Sequence, residues 1–543
     1  MRYLALAISL RFFPLTLVLI LTLILAMAAS MGGAPAWEAT LSVLLVVFGA
    51  LSILGVHDLI QTRHAILRNY PISAHLRFLL EEVRPEIRQY FFESETDGQP
   101  FSRDQRAIVY QRAKMVRDTR PFGTQLDVGA PGYEWLRHSI APRPLATEGF
   151  RMTVGGPDCA KPYSISVFNI SAMSFGALSA NAIRALNKGA ALGGFAHDTG
   201  EGGYSPYHRE GGGDIVWEIG SGYFGCRNPD GAFSDEKFAA AAANDQIKMI
   251  EIKLSQGAKP GHGGVLPAAK VSAEIAAIRG VEIGKDCISP SRHGAFSTPI
   301  EMMGFIEKLR RLSGGKPVGF KLCIGHPWEF LAIMKAMLTT GTYPDFIVVD
   351  GKEGGTGAAP LEFSDRLGMP MRDGLVFARN ALIGAGVRGR IRIGCSGKIV
   401  NGFDMAAAMA LGADWCNAAR GFMFSLGCLQ SLSCHTDRCP TGVATQDKTR
   451  SRALVVEDKY LRVRNFHRSM LHALAELTSA AGLDHPGDFR PEHFSRRLNA
   501  REAMTFAELY PALEPGELIA GAQDKSWAKM WALARAESFA AAL

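Results

Sequence analysis

Several features are scarce in this sequence, and each absence narrows the class of protein. Charged residues make up 20% of the 543 residues, and the net charge of +7 is spread along the chain without a basic tract interleaved with aromatics. That distribution argues against nucleic acid as a partner. Internal repeats and low-complexity segments are absent, which argues against a fibrous or disordered chain. The 58 glycines and 47% hydrophobic residues are instead typical of a large glycine-rich α/β enzyme.

Cysteine is scarce too, with nine residues in the chain. Three of them form a C-x5-C-x4-C run at Cys428, Cys434 and Cys439. Three thiolates close together are suitable ligands for an iron-sulfur cluster with three irons. The spacing alone is also consistent with a disulfide, with buried structural cysteines, or with a zinc site completed by His435. The other six stand singly, which predicts reduced, buried thiols of a cytoplasmic protein. These six are Cys159, Cys226, Cys287, Cys323, Cys395 and Cys416.

Two uncharged apolar runs near the amino terminus, residues 12–29 and 39–56, are each long enough to cross a bilayer. We predict two transmembrane helices within residues 1–60; the alternative for the first run is a secretory signal. The short connection between the runs carries one charge, Glu38. Four arginines flank the pair of runs: Arg2, Arg11, Arg63 and Arg68. The positive-inside rule then predicts a multi-pass protein of the inner (cytoplasmic) membrane whose catalytic domain faces the cytoplasm.

Residues 61–150 are predicted to connect the membrane segment to the catalytic domain. Apolar residues at helical spacing predict an amphipathic connector, which either lies near the membrane surface or packs across the catalytic domain; packing is the favoured alternative. The stretch 118–147 is rich in proline and glycine and is predicted to be a linker or a wrapping arm. We place the catalytic domain at residues 151–450 and a helical carboxyl-terminal extension at 451–543.

An alternation of strands and helices begins after residue 150. The eight predicted strands are 164–171, 194–197, 249–253, 286–289, 318–323, 346–350, 391–396 and 415–418. Helix-like segments such as 300–312 and 403–411 separate most of them. Eight such repeats predict a (β/α)8 barrel with its active site at the carboxyl ends of the strands. A doubly wound open sheet is the alternative.

Glycine and polar residues cluster in the loops after the predicted strands. Barrels of this kind commonly bind phosphate with the loops that follow strands seven and eight, where glycines let backbone N–H groups approach the ligand closely. In this chain those loops hold Ser396, Gly397, Ala419 and Arg420. Each glycine alone is consistent with an ordinary turn, but their joint occurrence favours a phosphate-binding site.

The motifs SAMSFGALS, TGEGG, QGAKPG, ISP, DGKEGGTGAAP and LGCLQSLSCHTDRCPTGVATQ occur in this order. Together they resemble the synthase domain of glutamate synthase over roughly residues 160–450. The whole chain resembles the shorter FMN-binding glutamate synthase family proteins, which include membrane-anchored forms. The resemblance implies a TIM barrel that binds FMN, with a [3Fe-4S] cluster on Cys428, Cys434 and Cys439.

Two elements of larger glutamate synthases are not found in this sequence. It begins with apolar runs instead of a glutaminase domain with its cysteine nucleophile, and no G-x-G-x-x-G fingerprint follows a strand. We therefore expect neither glutamine hydrolysis nor NAD(P)H binding within this chain. The resemblance then implies an external electron donor, such as ferredoxin.

The resemblance also implies which residues hold the flavin. Lys321, at the end of strand five, is expected to neutralise the pyrimidine edge of reduced FMN, and a lysine in the apolar GFKLCIG is expected to be paired. The other expected FMN-binding residues lie in four loops and comprise Ser171, Ala172, Met173, Ser174, Asp350, Gly354, Gly355, Thr356, Gly357, Ser396, Gly397, Ala419 and Arg420. Where the family has a Gly-Thr pair, this chain has Ala419-Arg420, whose arginine is expected either to bind phosphate or to face solvent.

Glu201, Lys259 and Arg279 match the family's substrate residues, so the resemblance implies that they are catalytic. Two cations suit the carboxylates of 2-oxoglutarate, and Glu201 would position or protonate the nitrogen. Lys253 is a further candidate of lower weight. The family's GAKPGEGGQLP is here GAKPGHGGVLP, so His262 and Val265 replace an acid and a glutamine that contacts substrate. This departure leaves the identity of the 2-oxo acid open.

The resulting prediction is a glutamate synthase-like oxidoreductase. It would reduce an imine made from a 2-oxo acid and ammonia, with electrons passing from [3Fe-4S] to FMN. One alternative is amine transfer of the N-methylglutamate synthase type. A second is a membrane-associated electron-transfer flavoprotein, and a third is a barrel that binds without catalysing.

Overall fold

The computed structural model describes residue 9, residues 11–146 and residues 149–542. Arg2 and Thr147, used above for topology and for the linker, lie outside these residues. The described chain forms two compact units, one ending at Arg103 and the other beginning at Asp104. The predicted domain limits at residues 60, 150 and 450 stay predictions.

Helices make up most of the first unit: α1 Phe13–Ser30, α2 Pro35–Ile60, α3 Ala65–Asn69 and α4 Ser73–Ile87, followed by a π-helical turn Arg88–Phe92. A proline in the first turn starts α1 and α2, where its missing N–H leaves no hydrogen bond unmade. The two helices pack together, and the hydroxyls of Thr22 and Ser52 share a 2.8 Å hydrogen bond between them. By length and composition, α1 and α2 are candidate membrane spans.

Asp58, near the end of α2, holds the start of α4. Its buried carboxylate accepts a 3.0 Å hydrogen bond from the Ile72 N–H and lies 3.0 Å from the His75 ring. Beyond this contact, α4 presents Leu76, Leu79 and Leu80 with more than half of each side chain exposed. One face of α4 is therefore apolar and exposed.

The strands of the second unit are β1 Glu134–Leu136, β2 Arg151–Val154, β3 Tyr163–Ser166, β4 Phe168–Ile170, β5 His197–Asp198, β6 Ile215–Ile219, β7 Ile247–Lys253, β8 Val265–Leu266, β9 Cys287–Ile288, β10 Val318–Leu322, β11 Phe346–Asp350, β12 Arg392–Ser396, β13 Trp415–Ala418, β14 Phe494–Arg497 and β15 Ala503–Thr505. Eight of them close a parallel barrel in the order β4-β5-β6-β7-β10-β11-β12-β13. This confirms the predicted TIM barrel and rules out the open sheet.

The prediction that 286–289 forms a barrel strand is wrong. Cys287–Ile288 pairs antiparallel with β8 outside the barrel, and Ile288 is mostly exposed. The third barrel strand is β6, which the sequence prediction missed. All five of its residues are buried, including Glu218, which breaks the apolar run by which buried strands are recognised.

Helices surround the barrel. They are α5 Arg103–Lys114, α6 Ala180–Gly193, α7 Pro206–Gly211, α8 Asp235–Ala242, α9 Ala273–Arg279, α10 Pro299–Leu312, α11 Pro327–Thr340, α12 Leu361–Arg366, α13 Met371–Gly384, α14 Gly402–Ala410, α15 Arg420–Leu426, α16 Lys448–Ser451, α17 Val456–Ala480, α18 Phe506–Leu509, α19 Glu517–Ala520 and α20 Lys525–Leu533. The long α17 packs on α6, where Gly189 lies so close to Val463 that a Cβ would be 2.6 Å from its side chain. The carboxyl-terminal extension is thus part of the packed body.

A buried ion pair closes the amino-terminal end of the barrel. Asp345 Oδ2 accepts hydrogen bonds from Arg310 Nη2 at 2.9 Å and from the Val318 N–H at 2.8 Å, and Oδ1 accepts one from the Gly156 N–H at 2.7 Å. The carboxylate therefore joins α10, two strands and the segment before β3.

We expect Arg310→Met to lower the free energy of unfolding of the barrel by about 3 to 5 kcal/mol, because it leaves Asp345 charged and buried without its cation. The midpoint of urea unfolding, followed by tryptophan fluorescence, measures the change. Arg311→Met on the exposed side of the same helix is the control and should stay within about 0.5 kcal/mol of wild type. Equal effects of the two substitutions would contradict this role for Asp345.

Candidate active site

The loops at the carboxyl ends of the barrel strands approach one another closely, and two glycines permit it. A Cβ on Gly257 would lie 1.7 Å from the Gly351 carbonyl oxygen, and one on Gly263 would lie 1.8 Å from that of Ser289. Both neighbours are backbone atoms that cannot move aside, so only glycine fits. These contacts join the QGAKPG loop to the DGKEGG and ISP loops, as expected for one site.

Glu201 lies at the centre of these loops. Its Oε1 is 3.0 Å from Lys253 Nζ, and its Oε2 accepts a 3.4 Å hydrogen bond from the Ser289 hydroxyl. Burial raises the pKa of Glu201, but the positive charges of Lys253, Arg279 and Lys259 outweigh this and hold the pKa below its usual value. Glu201 is therefore ionised at neutral pH.

Lys259 and Arg279, the two other predicted catalytic residues, are close enough to Glu201 to act on its charge. Lys259 is almost fully buried and donates a 2.9 Å hydrogen bond to the Ala358 carbonyl, which ties QGAKPG to the GGTGAAP loop. Burial lowers the pKa of Lys259 to about 8, although the Glu201 carboxylate opposes the shift. Lys253, which the sequence ranked lower, is the cation that directly contacts Glu201.

Arg279 fixes the SAMSFG loop through hydrogen bonds. Its Nη2 donates hydrogen bonds to the Phe175 carbonyl at 3.0 Å and to Ser174 Oγ at 3.3 Å. The guanidinium lies 5.2 Å from the Phe224 ring centre, and its buried Nε has no hydrogen-bond partner among the described residues. The guanidinium is therefore committed mainly to the SAMSFG loop.

Lys321 is buried and paired, as the sequence predicts. Its Nζ contacts Glu218 Oε2 and lies 3.3 Å from Glu251 Oε1. Burial lowers the pKa of Lys321, but the surrounding carboxylates outweigh this and raise the pKa well above its usual value. The lysine is a permanent cation in the barrel interior.

The structure brings most of the predicted flavin loops together around Asp350. Asp350 Oδ2 accepts a 2.7 Å hydrogen bond from the Gly257 N–H, and Ser396 Oγ donates to Oδ1. The Arg420 guanidinium lies against Gly355, where a Cβ would overlap it at 1.3 Å. Arg420 is therefore directed into the site, and a side chain at Gly355 would displace it.

The other predicted flavin residues line two sides of the same region. Ser171 and Met173 are buried, and the Ser171 N–H donates a 3.0 Å hydrogen bond to the Ala418 carbonyl. Gly357 lies beside Cys434, whose Cβ would be 3.8 Å from a Cβ on that glycine. The predicted flavin loop and the three-cysteine loop are thus in contact.

The surroundings of the three cysteines shift their pKa values in different directions. Burial raises the pKa of Cys439, but hydrogen bonds from the Thr441 hydroxyl and from the N–H groups of Ala444, Thr441 and Val443 outweigh this and lower it. Such N–H groups stabilise a sulfur that carries negative charge. Burial raises the pKa of the Cys428 thiol to about 12, and the nearby sulfurs of Cys434 and Cys439 add to the shift. The three sulfurs are therefore close enough for the charge on one to affect the pKa of another.

Two residues near Glu201 were missed at the sequence level. His293 Nε2 donates a 2.8 Å hydrogen bond to the Lys253 carbonyl, and its Nδ1 lies 3.1 Å from the Tyr223 hydroxyl. Both residues line an open cavity of about 810 Å³. His293 stands in the ISPSRH motif quoted above, so its place after ISP was the available signal.

His262 and Val265, the two departures from the family pattern, lie in the loop that contacts Glu201. A Cβ on Gly264 would be 1.8 Å from Glu201 Oε1, and Val265 follows directly. His262 has its Nδ1 2.9 Å from the Gly263 carbonyl and its ring edge against Phe363. Val265 therefore follows directly on a residue that contacts Glu201, whereas His262 packs on Phe363.

Comparisons with solved structures return barrels of low similarity. A mandelate oxidase variant aligns with a TM-score of 0.40 at 14% identity, covering 69% of this chain and 88% of that chain. The flavin-binding domain of baker's yeast flavocytochrome b2 aligns with a TM-score of 0.41 at 10% identity, covering 75% and 81%. Neither likeness supports an argument about activity.

Sequence comparisons are far more specific. The glutamate synthase large subunit-like protein YerD of Bacillus subtilis is 41% identical over 479 residues, which cover 81% of this chain and 91% of that protein. The archaeal glutamate synthase [NADPH] of Methanocaldococcus jannaschii is 35% identical over 320 residues, covering 58% of this chain and 59% of that protein. Residues 153–484 match the conserved region in glutamate synthase. The chain, as its motifs predicted, belongs to the glutamate synthase family of oxidoreductases.

Proposed function

We propose that the barrel catalyses reductive amination of a 2-oxo acid, with 2-oxoglutarate as the favoured substrate and ammonia as the amine. The observation that carries this proposal is the ionised Glu201 surrounded by Lys253, Lys259 and Arg279 at the carboxyl end of the barrel. Two carboxylates of a substrate require cations, and a nitrogen that carries a proton requires an acceptor. This set of side chains supplies both.

FMN and a [3Fe-4S] cluster are the cofactors that this proposal requires. We assign the flavin to the loops around Asp350, Gly355, Ser396 and Arg420, and the cluster to Cys428, Cys434 and Cys439. The support is the Arg420 guanidinium held against Gly355 among these loops, and the N–H groups directed at Cys439. The chemistry these groups supply when bound is the conversion of single electrons, from a donor such as ferredoxin, into hydride transfer.

The side chains of the site have separate roles in binding the 2-oxo acid and in holding the nitrogen. Lys259 and Arg279 supply the positive charge that binds the carboxylates of the 2-oxo acid. Glu201 Oε1 and Oε2 accept the N–H of the ammonium or iminium nitrogen and hold it in place. Because the pKa of Glu201 lies below its usual value, the carboxylate acts as acceptor and positioning group at neutral pH, and the proton on nitrogen stays there.

The direct test supplies the purified, cofactor-loaded protein with dithionite or reduced ferredoxin, 2-oxoglutarate and ammonium, and measures glutamate by chromatography. Reoxidation of the flavin absorbance on adding both substrates, with one glutamate formed per two electrons, supports the proposal. A flavin that stays reduced rejects it. Methylamine in place of ammonium tests the N-methylglutamate-type alternative. That alternative is motivated by Val265, which stands where the family has a glutamine.

The proposed role of Lys259 predicts an alkaline limit to the reaction. Lys259 is cationic below its pKa of about 8, so carboxylate binding is lost as the pH rises through that value. We expect kcat/KM for the 2-oxo acid to fall by on the order of tenfold per pH unit above the limit. In Lys259→Arg the cation persists, so the limit should move upward, whereas the exposed control Lys285→Arg should keep it. An unchanged limit in Lys259→Arg contradicts the assignment.

We further propose that α1 and α2 anchor the protein in the cytoplasmic membrane with the barrel in the cytoplasm. Both helices expose large apolar side chains, including Leu23, Val46 and Ile53, and arginines stand outside the apolar segments. Cell fractionation tests this: the full chain should stay with membranes after a high-salt wash and require detergent for release. Recovery in the soluble fraction would reject the anchor.

A further inference from the structure

A cluster of ionisable side chains that the proposed reaction does not use lies inside the barrel. Carboxylate oxygens of Asp198, Glu218 and Glu251, from three neighbouring strands, all lie within 4.8 Å of one another. Each residue is at most 3% exposed. The ammonium of Lys321, on β10, contacts Glu218 and lies 3.3 Å from Glu251, so it occupies the position that a metal ion would need.

The charges of this cluster do not balance. Three carboxylates around one ammonium would carry a net charge of −2 if all were ionised, and unbalanced charge in a protein interior is strongly disfavoured. Asp198 Oδ1 accepts a 2.9 Å hydrogen bond from the Gly200 N–H, and the buried Oε1 of Glu251 lies 3.3 Å from Lys321 Nζ. A proton on one of the carboxyl groups lowers the net charge from −2 to −1 and so reduces the charge that has to be buried.

The cluster lies directly beneath the proposed substrate position. Asp198 stands three residues before Glu201, and Glu251 stands two residues before Lys253, on the same face of β7. Glu201 and Lys253 are the pair in contact at 3.0 Å. Residues two apart on one face of a strand are about 7 Å apart, so a change of charge at Glu201 and Lys253 acts on the cluster through buried protein that screens it less than water does.

We propose that Asp198, Glu218 and Glu251, gathered around Lys321, form a proton-binding site that takes up a proton from solvent when a dianionic 2-oxo acid binds above it. This inference rests on the proposed function for the identity of the anion. The cluster compensates the charge of the bound substrate, so that the barrel interior does not accumulate negative charge before electrons arrive.

The groups around the cluster support a proton exchanged near neutral pH. Burial raises the pKa of Asp198 to about 7, with Lys321 opposing the shift and Glu218 adding to it. Burial also raises the pKa of Glu251 well above its usual value, with Lys321 again opposing and the two other acids adding. Asp350, at the end of β11, also acts on Lys321, and the charged pair Glu201 and Lys253 stands in the adjoining loops.

Two measurements on the full-length, FMN-loaded protein test the proposal. The first is infrared titration without substrate, which detects the carbonyl stretching band of a protonated, buried carboxyl group. We expect a band that titrates near pH 7 and is lost in Asp198→Asn or reduced in Glu251→Gln, both of which keep the side-chain shape. Glu282→Gln, an exposed acid, is the matched control. Absence of such a band in wild type overturns the proposal whatever the substrate is.

The second measurement is calorimetric titration with 2-oxoglutarate, without reductant, in buffers of different ionisation enthalpy. We expect uptake on the order of half a proton per substrate at pH 7 in wild type and in Glu282→Gln, and little uptake in Asp198→Asn. Undiminished uptake in both Asp198→Asn and Glu251→Gln overturns the coupling. Failure of 2-oxoglutarate to bind in any buffer would instead reject the proposed substrate, while the infrared titration still decides whether the proton site exists.

Discussion

Cys434→Ser is expected to remove the iron-sulfur cluster and to lower turnover driven by reduced ferredoxin at least about 100-fold. A serine oxygen is a harder ligand and is protonated at neutral pH, so it does not replace a thiolate in a shared iron site. Cys434 stands in the loop that touches Gly357, between its partners Cys428 and Cys439. Replacing Cys434 would therefore remove the proposed cluster ligand that lies next to the flavin loop.

The measurements for Cys434→Ser are iron and acid-labile sulfide content, the electron paramagnetic resonance signal of the oxidised cluster, and FMN content. FMN should remain, because its proposed contacts around Asp350 and Ser396 belong to other loops. Cys159→Ser is the control: that thiol donates to the Gly315 carbonyl away from the three-cysteine loop, and its replacement should leave iron and turnover intact. Iron content equal to wild type in Cys434→Ser would refute the cluster assignment.

The second large effect is expected for Glu201→Gln, which should lower kcat by about 10²- to 10⁴-fold. Glutamine keeps the size of the side chain but not its charge. The substituted side chain leaves Lys253 without its 3.0 Å partner and puts an amide where the nitrogen of the substrate needs an acceptor. Because Lys259 and Arg279 remain, binding of the 2-oxo acid should persist while the KM for ammonium rises.

Steady-state kinetics with each substrate varied in turn separate these contributions for Glu201→Gln. Glu210→Gln is the matched control, since Glu210 is half exposed and pairs with Arg184 on the outer helices. It should retain the wild-type kcat and both KM values. A Glu201→Gln enzyme with kcat within threefold of wild type would remove Glu201 from the reaction and leave Lys253 and Lys259 as the groups to test.

A good part of this molecule could be predicted from local patterns. Alternating strands and helices predicted the barrel, and the ordered motifs predicted the family; both are confirmed. The expectation that Lys321 is paired is confirmed as well, because a lysine between apolar residues in GFKLCIG must find a counter-charge. FMN, the [3Fe-4S] cluster and the membrane anchor remain proposals that rest on the residues described above.

The errors share one cause. The segment 286–289 has the composition of a strand but lacks a neighbour in the barrel, whereas Ile215–Ile219 is a barrel strand that carries Glu218 in its interior. Strands are recognised in a single sequence by their runs of apolar residues. A buried glutamate interrupts such a run, so a true strand is overlooked. What makes that glutamate acceptable is Lys321, about one hundred residues later in the chain.

By itself, the sequence determined the barrel repeat, the glycine-rich loops, the three-cysteine spacing and the candidate spans, because each depends on residues close together in the chain. Only the tertiary structure decided which charged side chains contact one another. It paired Glu201 with Lys253, directed Arg279 to the SAMSFG loop, and gathered three acids around Lys321. The physical reason is that the free energy of a buried charge is set by partners on other strands, and those partners become neighbours only when the barrel closes.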